Sequence, residues 1–87
     1  MTRIAWTPNA WDDYLYWQKN DKKILARVNA LLKDACRNPF SGLGKPEALR
    51  FDLTGYWSRR INSEHRLVYT FDAEQDMLIV VQCRLHY

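Results

Sequence analysis

Glu47, Arg60, Arg66, Arg84 and His86 are the residues of this sequence best suited to chemistry. Arginine presents a planar fork of donors to a phosphate and stays charged at any physiological pH. Histidine gives or takes a proton near neutrality. Glu47 sits in "PFSGLGKPEALR", between Lys45 and Arg50, apart from the other acids of the helices and turns. A glutamate, arginines and a histidine on one surface would suit RNA cleavage without a metal. There the ribose 2′-OH, which DNA lacks, is the nucleophile. A base takes its proton, cations hold the phosphate as charge builds, and an acid protonates the leaving 5′-oxygen. The sequence carries no HExxH, no Cys/His cluster and no Walker loop, so neither a metal nor another cofactor is expected. Other readings stand beside this one. Glu47 also reads as an exposed loop glutamate. The arginines also read as a solvated sheet face, or as a basic surface that binds RNA or the ribosome without chemistry. His65, in the turn "SEHR", reads as a structural or surface histidine.

These side chains meet only if the strands carrying them alternate in phase. "RIAW" reads as a short first strand. Thr7 can cap a helix that begins with Pro8, and Trp11, Tyr14, Leu15 and Gln18 share one of its sides. Asp21 can cap a second helix, in which Ile24, Val28, Leu31, Leu32 and Ala35 form a buried stripe. After the Gly/Pro loop the period changes to two. "LRFDL", "YWSRRIN", "HRLVYTF" and "MLIVVQCRLHY" read as four strands of an antiparallel meander. The expected fold is therefore α+β: an N-terminal strand, an αα-hairpin, then the meander, with the helices on one face of a small sheet. Alternation puts Trp57, Ile61, Leu67, Tyr69, Phe71, Cys83 and Leu85 on the covered face. Arg60, Arg66, Arg84 and His86 then gather on the other face without an acid among them. The faces of Arg59, Arg60 and Arg84 depend on register, and a slip of one residue would exchange them.

The 87 residues make one domain over 1–87, with apolar residues at 47% and aromatics at 14%, enough for a compact core. A net charge of +3 and a pI near 9.0 permit a polyanionic partner without demanding one. Cys36 and Cys83 form no CxxC pair and read as reduced thiols. Arg3 and the polar run from Thr7 deny a signal peptide, and no apolar stretch reaches the ~20 residues of a membrane span. A cytoplasmic protein without a membrane partner is expected.

Several stretches together carry a resemblance: "WDDYLYWQ", "NPFSGLGKPEAL", "LTGYWSRRINSEHRLVY" and the closing "CRLHY". They resemble the YoeB-like branch of the RelE-type bacterial toxins, along nearly the whole chain. The resemblance implies a type II toxin–antitoxin toxin, an mRNA interferase that enters the ribosomal A site and cuts the codon there, inhibiting translation. It implies Glu47 as general base, Arg66 as the stabiliser of the charged phosphate and His86 as general acid. Tyr87 would orient or stack near the cut nucleotide. Arg60 would be a further phosphate contact, with Lys45, Arg50 and Arg84 completing the RNA-binding set. Arg50 stands where the best-known member of that family has a lysine, so a fork replaces a point charge. The implied partners are the bacterial ribosome, mRNA and a cognate antitoxin whose acidic, flexible C-terminal segment folds on the toxin. A homodimer is implied too, with promoter DNA bound only through the antitoxin complex. A toxin of the same fold with another target is the alternative, since fold alone does not set function.

Overall fold

The structure, a computed structural model, describes residues 1–86. The expectation for Tyr87 therefore lies outside the described residues.

Local chemistry starts both helices. Thr7 Oγ1 accepts from Ala10 N at 3.2 Å and Pro8 opens α1 (Pro8–Asn20), where its missing N–H is no loss. Asp21 serves two helices at once. Its backbone N–H donates to Trp17 O, ending α1. Its Oδ1 accepts from Lys23 N and Ile24 N, starting α2 (Lys22–Arg37). The stripe of α2 buries Val28, Leu31, Leu32 and Ala35 as expected, with Ile24 half-buried. On α1 the buried residues are instead Ala10 and Trp17, while Trp11 and Leu15 stay exposed.

Five strands form one sheet in the order β1-β5-β4-β3-β2. They are β1 (Arg3–Trp6), β2 (Glu47–Ala48), β3 (Trp57–Arg60), β4 (Arg66–Asp72) and β5 (Met77–Gln82). β1 lies parallel to β5 at one edge, and the other pairs are antiparallel. Leu67, Tyr69, Leu78 and Val80 pack with the α2 stripe and Trp17 in one core.

Two strand expectations need correction. "LRFDL" is not a strand. Only Glu47 and Ala48 pair with β3, and residues Phe51–Leu53 form a single 3-10 turn. Leu49 N donates to Tyr56 O, closing the chain into a loop before Arg50 can find a ladder partner. The last strand ends at Gln82 rather than running to the end of the sequence. A bulge precedes that end: Tyr69 pairs with Val80 but Val68 pairs with Gln82, leaving Val81 as the extra residue.

Candidate active site on the open sheet face

The register sets out the site row by row. Glu47 pairs with Ser58, Ser58 with Val68, and Val68 with Gln82, one line across four strands. Two residues along, Arg60 pairs with Arg66. Side chains two apart on a strand share a face, and this is the face opposite the helices. Glu47, Arg60 and Arg66 are thus neighbours in adjacent rows. Strands lie about 4.8 Å apart, so roughly 10 Å separates the backbones of β2 and β4, a span that long side chains bridge. Buried Ser58 and Val68 form the floor.

Arg60 and Arg66 sit directly opposite each other, where like charges repel. Neither forms an ion pair among the described residues. Arg66 Nη1 donates to Asn62 O at 2.7 Å and His65 O at 3.0 Å. That fixes one corner of its fork and leaves the Nε and Nη2 donors for an anion. Arg60, Glu47, Lys45 and Arg50 are exposed. Glu47 and Arg50 also line a cleft of about 240 Å³ with Ala48, Leu49, Phe51 and Leu53. A larger hollow of about 520 Å³ lies between β1 and the helices, and none of these site residues lines it.

A buried arginine holds the loop that delivers Glu47. Arg59 is 0% exposed and donates to five acceptors: Tyr69 Oη, Asp34 Oδ2 and the carbonyls of Leu43, Asn38 and Ser41. Tyr69 Oη in turn donates to Pro39 O at 2.6 Å. The backbone N–H of Leu43 and the Arg59 guanidinium hold the Asp34 carboxyl below its usual range. Arg60 N donates to Gly44 O at 2.7 Å, tying the end of the same loop to β3. Gly44 has φ +80, and a Cβ there would meet Leu31 Cδ2 at 2.6 Å and Arg60 O at 3.2 Å. Only glycine lets the loop pass this close.

The segment beyond β5 is pinned beside Arg66. Arg66 N donates to Leu85 O at 3.0 Å, and Leu85 N donates to His65 Nδ1 at 2.8 Å. Gln82 Nε2 donates to the carbonyls of Arg84 and Leu85. His86, exposed, therefore follows directly on a residue bonded to the Arg66 backbone. His65 is the structural histidine of the pair, buried edge-on against Trp17.

Two expectations for this segment are overturned. Arg84 does not join the open face: its guanidinium lies over the Tyr16 ring of α1, 3.7 Å from the centroid. Leu85 is exposed rather than covered, with φ +66. The cause is the end of the strand. Cys83 N donates to Asp13 Oδ2 on α1 and Cys83 O accepts from Trp17 Nε1, so the chain turns toward the helix and alternation stops. Burial raises the Asp13 carboxyl above its usual range despite that hydrogen bond. Burial likewise pushes the Cys83 thiol up to about 12. Both cysteines are free thiols.

Sequence reasoning did not find the loop clamp at Arg59 or the pin at Gln82. The available signal for Arg59 was parity: it alternates in phase with Trp57 and Ile61, both assigned to the covered face.

Comparison with known proteins agrees with this architecture. Residues 6–87 match the family model described as the YoeB-like toxin of bacterial type II toxin–antitoxin systems. A toxin YoeB of Synechocystis is 60% identical over 85 residues, which are 98% of this chain and 96% of that protein. The solved YoeB/ParE toxin from Agrobacterium tumefaciens is 49% identical with a TM-score of 0.96, covering 99% of this chain and 100% of the other. The Staphylococcus aureus YoeB, solved in a heterotetrameric YoeB–YefM toxin–antitoxin complex, is 49% identical with a TM-score of 0.90, covering 100% and 99%. A YoeB from S. aureus is also solved as a dimer. From its sequence, its five-stranded sheet and its two helices, this chain belongs to the YoeB-like toxins of bacterial type II toxin–antitoxin systems.

Proposed function

We propose that this chain is a ribosome-dependent endoribonuclease that cuts mRNA in the A site of the translating ribosome. The observation that carries the reading is the register: Glu47 stands in one row of the open face and the Arg60–Arg66 pair in the next. In the proposed reaction Glu47 takes the proton of the ribose 2′-OH. The freed oxygen attacks the adjacent phosphorus while Arg60 and Arg66 hold the non-bridging oxygens. The bond from phosphorus to the 5′-oxygen breaks, and His86 gives that oxygen a proton. The products are a 2′,3′-cyclic phosphate and a free 5′-hydroxyl. Tyr87 is assigned by resemblance to orienting the cut nucleotide. Lys45 and Arg50, exposed near Glu47, supply further RNA contacts. Arg84 is left out of this set, because its guanidinium is engaged with Tyr16.

The S. aureus complex supports a cognate antitoxin as the inhibitor; in the proposed arrangement an acidic segment of that antitoxin would cover the basic face. Promoter DNA would be met only through that complex. The S. aureus dimer supports a homodimer here. The work would be done in the cytoplasm, among ribosomes. A 2′-deoxynucleotide placed at the cut position of a ribosome-bound mRNA tests the chemistry. Cutting there is expected to stop, and cutting that continues at the deoxy position overturns the mechanism.

A further inference from the structure

Phe51 has no packing role in the fold. It is 90% exposed, although it is a large apolar ring. Its φ is +58, a region that bulky side chains rarely enter. The conformation is imposed from both sides. Phe51 O accepts from Thr54 N at 3.0 Å and Thr54 Oγ1 at 2.7 Å, while Leu53 N donates to Arg50 O at 3.1 Å. The turn thus holds an aromatic ring out into solvent at the rim of the cleft that Glu47 and Arg50 also line. Strained backbone that the surroundings over-determine is concentrated at functional sites.

We infer that Phe51 is a stacking platform for a nucleobase of the RNA strand, one flanking the phosphate held by Arg60 and Arg66. The inference rests on the proposed cleavage of RNA beside Glu47. Two observations and one chemical argument select this occupant. The cleft shares Glu47 with the cutting site, so a base next to the cut phosphate falls within reach. Its surroundings carry charge of both signs, with Arg50 beside Glu47 in the lining, Lys45 nearby and Asp52 next to Phe51, which suits a ligand with both a polar backbone and a ring and disfavours a purely apolar one. The chemistry also requires it: in-line attack of the 2′-oxygen pulls the two nucleotides out of regular stacking, and an unstacked base needs a new π-face. The turn already fixes the backbone that carries this ring, so only the side-chain rotation of Phe51 is lost on binding.

The test compares Phe51→Ala, Phe51→Leu, Phe51→Trp and Phe51→Gly in single-turnover cutting of ribosome-bound mRNA below saturation. The mRNA carries 2-aminopurine next to the cut position, and its fluorescence quenching reports stacking. Phe51→Ala and Phe51→Leu are expected to lose about tenfold or more in cutting and to lose the quenching, whereas Phe51→Trp keeps both. Phe51→Gly is expected to melt at a higher temperature than wild type, because it relieves the strained φ, while cutting as poorly as Phe51→Ala. Full cutting and quenching by Phe51→Ala overturn the inference. So does a defect confined to antitoxin binding, which would make Phe51 a protein contact. Failure of wild type to cut RNA at all is a different result, and contradicts the proposed function itself.

Discussion

Arg59 and Arg60 are consecutive residues of β3, yet their environments are opposite. Arg59 points to the covered face, where every arm of its guanidinium has a protein acceptor. Arg60 points to the open face, exposed and directly across from a second arginine. The same side chain is a brace in one place and a vacant cation in the other. Burial without full pairing would be prohibitive for Arg59. Arg60 is kept among like charges at some cost to the folded state. In the proposed reaction the two arginines also divide one task, since Arg59 fixes the loop before Glu47 and Arg60 would face the phosphate beside Glu47.

The largest effect expected from this contrast is on folding. Arg59→Met leaves four loop or side-chain oxygens without their donor and an Asp34 carboxylate without its partner. We expect a loss of about 3 kcal/mol or more, or upward of ~12 °C in melting temperature, read by thermal denaturation. Arg60→Ala and Arg66→Ala should sharpen the contrast. Arg60→Ala is expected to stay within about 0.5 kcal/mol of wild type in the same melt, while cutting of ribosome-bound mRNA falls on the order of 100-fold in both. An Arg60→Ala protein that melts like Arg59→Met would erase the distinction. Gly44→Ala comes next, because the added Cβ meets Leu31, Arg59 and Arg60 at once. A loss of about 1–3 kcal/mol in urea unfolding is expected, with cutting reduced through the displaced loop.

The smallest effect is the pH dependence. The Asp34 carboxyl is held below 3.8 in the fold. Its contribution is therefore fully present above that value and lost as pH falls through the folded pKa. Asp13 is raised above 3.8, so its ionisation counts against the fold as pH rises through its folded pKa, the opposite sign. Melts of wild type and Asp34→Asn between about pH 2 and 6 should show a shallower acid-side decline in the variant. Equal slopes would mean that the Arg59–Asp34 bond carries no pH-linked stability.

Much of this arrangement was legible because it is local. Thr7 and Asp21 cap their helices through neighbours two or three residues away, and Pro8 suits the first helical turn by its own geometry. The alternation of β4 places Arg66 opposite Leu67 and Tyr69 without further information. What failed depended on distant partners. "LRFDL" has the period of a strand, but β3 offers a partner only to Glu47 and Ala48. Arg84 was misplaced because a bulge at Val81 and the Asp13 carboxylate, 70 residues away from Cys83, stop the alternation before it. Arg59 has the parity of a core residue, but its acceptors lie on a loop 16 to 21 residues earlier in the chain and on Asp34, 25 residues earlier. Nothing in the local pattern announces that closure.

The central claim is that the open face does chemistry and does not merely bind. Glu47→Ala tests it most directly, because the Glu47 side chain is exposed and its carboxylate forms no hydrogen bond or ion pair among the described residues. Ribosome affinity and the single-turnover rate of mRNA cutting should be measured on the same preparation. The account predicts a variant that binds ribosomes like wild type and cuts at least about 100-fold more slowly. A variant that binds and cuts like wild type would contradict it.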